Sequence, residues 1–122
     1  MVLAESDLTY RIRGCVYEVY RQLGCGFLEA VYEKALIIEM RMQELQVESQ
    51  VPVDVEYKGE NIGHYYADLI VNGSVILELK AQSRLSPACE VQLLNYLRAA
   101  NLHLGLLINF SYPKASIRRI IR

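Results

Sequence analysis

The sequence predicts a mixed α/β fold of the α+β kind, a mixed sheet with helices packed on it. Three observations carry that expectation. Apolar residues recur at helical spacing through the first third of the chain. The period changes to two around Gln46 and holds through three strand-like segments. A proline-started helical stretch and a strongly apolar strand then follow.

Each element has its own local reason. From Asp7 to Leu23, the residues Leu8, Ile12, Cys15, Val16, Val19, Tyr20 and Leu23 fall at helical spacing, with Ser6 as the expected N-cap. Gly24-Cys25-Gly26 breaks the chain. A second helix, Phe27 to Leu45, takes Leu28, Val31, Leu36, Ile37, Met40 and Met42 as its apolar content; most of these, both methionines included, are expected in the core. Val47 to Tyr57 alternates like a half-exposed strand, and Pro52 marks it as an edge or a bulge. Lys58-Gly59-Glu60-Asn61 turns it into the strand carrying Asp68, and the next strand carries Glu78 and Lys80. Ser86-Pro87 reads as an N-cap and first helical residue of a third helix, Pro87 to Ala100. A buried strand, Leu104 to Phe110, and a short last strand, Ile117 to Ile121, complete the order α-α-β-β-β-α-β-β.

With 122 residues, just over half of them hydrophobic, the chain is expected to be one domain spanning 1–122. The sequence shows neither a membrane-length apolar run nor a signal-peptide pattern. Cys15, Cys25 and Cys89 are odd in number, widely spaced and lack a CxxC, which suits a reducing cytoplasm and speaks against a disulfide framework or a zinc site. His64 and His103 are too few and too far apart for zinc or triad chemistry and read as ordinary strand residues. The net charge of −1 argues against strong autonomous nucleic-acid binding. Lys114 to Arg122 carries four positive residues, and a solvated edge strand guarded by its charges is the favoured reading over a phosphate-tracking strip.

The chemistry concentrates in Asp68 and Glu78-Leu79-Lys80, charged residues set among apolar strand residues around Asn72-Gly73. Buried charge is costly unless the groups pair or hold a metal. Glu78 and Lys80, two apart, share one face of their strand. A strict two-residue loop at Asn72-Gly73 sends Asp68 to the other face. A three-residue loop, Val71-Asn72-Gly73, instead pairs Asp68 with Ile76, with Gly73 at the left-handed position of a type I turn with a bulge. The two carboxylates are then diagonal neighbours, roughly 7–8 Å apart between Cα atoms. That register is the expectation. The structural reading is a Glu–Lys pair at a sheet end; the functional one makes Asp68, Glu78 and the Leu79 carbonyl ligands of Mg²⁺ or Mn²⁺, which oxygen-only donors favour over zinc. Lys80 would hold the attacking water or stabilise charge on a phosphate.

Two further sets are weaker alone. Glu29, Tyr32, Glu33 and Leu36 share a helix face, with Glu29 near a helix start where a carboxylate is favoured; the bland alternative is a surface glutamate and a core tyrosine. Gln92 and Tyr96 share a face of the third helix, where a surface glutamine beside a half-buried tyrosine is the plain reading. No serine or cysteine has a histidine partner for a nucleophilic triad.

Asp68 with Glu78-x-Lys80 resembles the signature of the PD-(D/E)xK nuclease superfamily, and the predicted elements match its restriction-endonuclease-like αβββαβ core, flanked by helices. Gln92-Leu-Leu-Asn-Tyr96 resembles the QxxxY motif of its exonuclease branch. Gly26-Phe-Leu-Glu29-Ala-Val-Tyr32 resembles the name-giving motif of the GxxExxY proteins, a likeness that runs from about Ile12 to Ile121. Members usually have a histidine where this chain has Tyr20 and a proline where it has Cys25. The resemblance implies a Mg²⁺-dependent (or Mn²⁺-dependent) nuclease that hydrolyses DNA or RNA with metal-activated water. Asp68, Glu78 and Lys80 would take the metal and water roles, Glu29 an outer-shell metal role, and Gln92 and Tyr96 supporting positions. The near-neutral charge adds the expectation of a homodimer or a protein partner. The alternatives are a non-catalytic nuclease-fold module binding nucleic acid, a nucleotide or a protein, and a hydrolase of small phosphate esters.

Overall fold

The computed structural model describes residues 4–122. Its elements are α1 (Glu5–Leu23), α2 (Glu29–Met42), β1 (Val47–Tyr57), β2 (Glu60–Val71), β3 (Val75–Lys80), α3 (Ala88–Ala100), β4 (Leu104–Phe110) and β5 (Ala115–Ile121). The strands form one mixed sheet in the order β1-β2-β3-β4-β5. Only β3 and β4 run parallel, joined by the α3 crossover; the other neighbours are antiparallel. The predicted element order and mixed sheet are both present.

Helices cover both faces. On one, α1 and α2 bury Ile12, Val16, Tyr32, Leu36 and Met40 against Leu69, Leu77, Leu79, Leu106, Ile108 and Phe110. On the other, α3 buries Leu93, Tyr96 and Leu97 against Ile70, Ile76 and Leu107. Strand β4 lies buried along its whole length between these layers, which explains its continuous apolar run. Gly105 lets α3 come close, because a Cβ there would sit 2.9 Å from a Leu93 methyl.

Several boundaries differ from expectation. Helix α1 begins at Glu5, preceded by Ala4 with no side-chain cap, so Ser6 is not the N-cap; its carbonyl instead accepts the Thr9 hydroxyl inside the helix. Helix α2 is shorter than Phe27 to Leu45, because the chain through Leu28 is extended and Glu44 takes a positive φ. Of its predicted core residues Leu28, Val31 and Met42 are exposed, while Met40 is fully buried. Strand β5 starts two residues earlier than Ile117, at Ala115, which is buried opposite Phe110. His103 precedes β4 and meets Glu5, while His64 lies in β2 and pairs with Asp54.

The edge readings hold. Pro52 lies on β1, an outer strand, where its missing N–H is tolerated. Strand β5 is the opposite edge, and its arginines are engaged locally: Arg118 with Glu90, Arg119 with Glu5, and Arg122 with the Asn101 side chain. The third helix starts at Ala88, with Pro87 in the cap position expected for Ser86, whose hydroxyl nevertheless accepts the Ala88 amide at 3.2 Å.

Candidate active site

The loop after β2 sets the site. Asn72 and Gly73 both take positive φ, 50° and 65°, and the Ser74 amide donates to the Val71 carbonyl. This is a turn of type I′ character, for which Asn-Gly is suited, followed by Ser74 as an extra residue. The expected loop had the right parity and the wrong position. Val71 pairs with Val75, Ile70 with Ile76 and Leu69 with Leu77, so the register runs two residues from the expected one. Asp68 and Glu78 share a face, the one under α3, and stand directly opposite rather than diagonal.

The β2–β3 ladder stops at this point. Instead of a backbone pair, the Asp68 amide donates to Glu78 Oε1 at 3.0 Å, and the Leu79 amide donates to Asp68 Oδ2 at 2.8 Å. Each carboxylate thus takes the hydrogen bond of the other strand, and beyond it the strands part. The β1–β2 ladder is also interrupted here. Gln50, opposite Asp68 in the count, takes φ 51° and is unpaired between Ser49↔Leu69 and Val51↔Ala67. Past this unpaired residue the ribbon changes allegiance without a change of register: Leu69 packs under α1 and α2, whereas Ala67 and Val53 pack with α3.

Glu78 is buried, at 5% exposure, and Asp68 half-buried. Neither forms an ion pair among the described residues. Burial, then the neighbouring Asp68 charge, pushes the Glu78 carboxyl up to about 8, against a smaller opposite pull from the Asp68 amide and Lys80. Because the folded state holds this proton more tightly than the unfolded chain, Glu78 favours folding below its ordinary range near 4.5, and that contribution is lost as pH rises through about 8.

Among the described residues no three His, Cys, Asp or Glu side chains converge as a metal cluster. The donor set is two facing carboxylates with no cationic partner, and the Leu79 carbonyl beside them. In a strand the N–H and C=O of one residue point to the same side, so the Leu79 carbonyl shares the gap that its amide spans to reach Asp68. An all-oxygen set with room for waters fits Mg²⁺ or Mn²⁺.

The remaining predicted residues surround this pair unevenly. Lys80 is half-buried on the Glu78 face, in register with Asn109 of β4. Glu29 is the first residue of α2, and it lines a small cleft with Phe27, Leu28 and Ala81, the residue after Lys80. It forms no hydrogen bond to the carboxylate pair. Tyr96 is buried under β2, and its hydroxyl is pushed up by burial, then by the charges of Glu78 and Asp68. Gln92, one turn away, is exposed and lines a groove beside it.

Tyr32 is a fully buried positioning residue. Its ring stacks on Phe110 with centroids 4.3 Å apart; its hydroxyl donates to the Gly24 carbonyl at 2.6 Å and accepts the Phe27 amide at 3.3 Å. That clasp fixes the loop leading to Glu29. Tyr20 donates to the Ser111 carbonyl at 2.7 Å.

Two positioning residues were not identified from the sequence. Asn109 is buried, and its amide makes a two-way bridge to the Gln82 backbone, accepting N–H at 2.9 Å and donating to C=O at 2.8 Å. It thereby sets how the chain leaves Lys80, and a lone amide in an apolar strand was the available signal. Gln50 donates to Glu33 at 3.0 Å, joining the interruption in the β1–β2 ladder to α2, and nothing in the sequence marks it.

A mixed five-stranded sheet between helices, with an acidic pair where two central strands part, defines a nuclease-like α+β fold. A family model described as PD-(D/E)XK nuclease superfamily matches residues 6–120, and the chain belongs to that superfamily. PD-(D/E)XK nucleases generally use divalent metals. The crystal structure of SSO0001 is similar in fold, with a TM-score of 0.59 and 19% identity over 97% of this chain; the chain spans 59% of that one. No curated protein matches. No helix among the described residues is long and apolar enough to cross a membrane.

Proposed function

We propose that the chain is a Mg²⁺- or Mn²⁺-dependent phosphodiesterase of nuclease type, acting on DNA or RNA, and that it belongs to the GxxExxY branch of its superfamily. One observation carries this reading: Asp68 and Glu78 face each other without a cationic partner, beside Lys80, where two strands part. A structural Glu–Lys pair would place the ammonium on the carboxylate, and no such ion pair is present among the described residues. The branch assignment is supported by the Tyr32 clasp, which holds Gly24 and Phe27 on either side of Gly26, itself at φ 107°, and so fixes the loop that leads to Glu29.

In this reading Asp68, Glu78 and the Leu79 carbonyl hold the cation, and Glu29 bears on it from α2 through the outer shell. When bound, the cation supplies Lewis-acid polarisation of the phosphoryl oxygens and a more acidic water. Lys80 presents its ammonium on the same face, where it orients the attacking water and stabilises negative charge on the phosphate. The Tyr96 hydroxyl, kept protonated, donates toward the acidic pair, and Gln92 orients the substrate at the groove. The near-neutral net charge gives few phosphate contacts from one chain, so a second copy or a protein partner is part of the proposal.

The test is cleavage of single- and double-stranded DNA and RNA by purified protein with Mg²⁺, Mn²⁺ or a chelator. Metal-dependent cleavage of at least one substrate is expected. Cleavage that survives chelation, or none on any substrate, counts against the reading.

A further inference from the structure

A groove of about 1220 Å³ lies between α3 and the β1–β2 ribbon. Six of its residues define its chemistry: Asp54, Glu56 and Tyr65 from the ribbon, and Gln92, Asn95 and Tyr96 from α3. Tyr65 is 47% exposed, and its ring lies 5.8 Å from that of Tyr96 at a tilt of 41°. Tyr96 links the groove to the acidic pair: it lines the groove, and the charges of Glu78 and Asp68 act on its hydroxyl, although neither carboxylate lines the groove itself. Gln92 and Asn95 are three apart on α3 and exposed into the same space.

We infer that this groove receives an unpaired nucleobase flanking the reacting phosphate, so that the preferred substrate is single-stranded or locally unpaired. The inference rests on the nuclease reading and adds its substrate class. Three features point to a base rather than a phosphate. Tyr65 offers an exposed aromatic face, and stacking accepts any base. The amides of Gln92 and Asn95 each carry donors and an acceptor, the complement of a base edge. Of the charged residues lining the groove, Asp54 and Glu56 on the ribbon face Arg98 on α3, and Asp54 is also engaged by His64, so the groove offers a phosphate backbone no net positive charge. The volume exceeds the roughly 300–1,000 Å³ of small-molecule sites, and the groove follows α3 for roughly 16 Å, so a polymer strand suits it better than one mononucleotide. A stacked duplex keeps its bases turned inward and cannot fill the groove without unpairing.

The test is fluorescence-anisotropy binding of a labelled single-stranded oligonucleotide and its blunt duplex, in chelator so that nothing is cut, followed by abasic substitution at each position in turn. The single strand is expected to bind at least about tenfold tighter than the duplex, with one abasic position weakening it by about five- to a hundredfold. Tyr65→Ala, at an exposed ring, is expected to erase the difference between intact and abasic strands while the fold, followed by circular dichroism, is unchanged. Equal binding of intact and abasic strands, a retained difference in Tyr65→Ala, or no binding by the parent would overturn the inference. The two readings fail separately: base-dependent binding without cleavage sinks the nuclease reading alone, and cleavage indifferent to abasic positions sinks this one alone.

Discussion

Glu78→Ala is expected to lower metal-dependent cleavage by about 10²–10³-fold, the usual scale for losing one group that stabilises transition-state charge. Lys80→Ala is expected to fall in the same range while leaving metal binding intact, since its nitrogen is not among the proposed ligands. The Lys80→Ala loss separates cleanly from unfolding, whereas Glu78→Ala also leaves the Asp68 amide without its acceptor, at an expected cost of about 1–3 kcal/mol. Lys80 is half-buried and makes no ion pair among the described residues. Cleavage rates and urea midpoints measured on the same preparations check this; unchanged activity in both variants removes the site.

The second large effect is on stability. Tyr32 is fully buried, stacked on Phe110 and hydrogen-bonded at both ends of the Gly24–Phe27 loop. Tyr32→Ala removes the ring and leaves a cavity, at an expected cost of about 3–5 kcal/mol by urea unfolding. Tyr32→Phe keeps the stack and loses only the clasp, at an expected cost of about 1–2 kcal/mol. If the clasp sets Glu29, the phenylalanine variant also loses part of its cleavage activity, which a purely packing role for the hydroxyl would leave untouched.

The elements were legible because their signals are local. Strands β1 and β4 lie where alternation and apolar continuity put them, and the third helix starts within a residue of where Ser86-Pro87 placed it. Helix ends were less legible, since Ala4 and Leu28 precede α1 and α2 without side-chain caps and leave no residue to recognise. The site was half legible. That Asp68 and Glu78 share a face followed from an odd-length loop; that they stand directly opposite did not. The exact pairing depends on Ser74, an extra residue with no distinctive chemistry, and on carboxylates replacing the ladder. The positive φ at Gln50 and the bridge from Asn109 to Gln82 are tertiary choices, settled by what packs above and below the strand.

In the proposed site Asp68 and Glu78 face each other as cation ligands, and the Glu78 carboxyl stays protonated until the cation arrives. Calorimetric titration of Mn²⁺ into the metal-free protein, between about pH 6 and pH 8, tests it most directly. The expected result is a single class of site whose affinity rises by up to about tenfold per pH unit, with proton release at the acid end, because the ion must displace the proton that burial and Asp68 hold on Glu78. The Asp68→Asn/Glu78→Gln double variant is expected to lose both the binding and its pH dependence. Binding of equal strength in that variant, or an affinity indifferent to pH in the parent, would contradict the account.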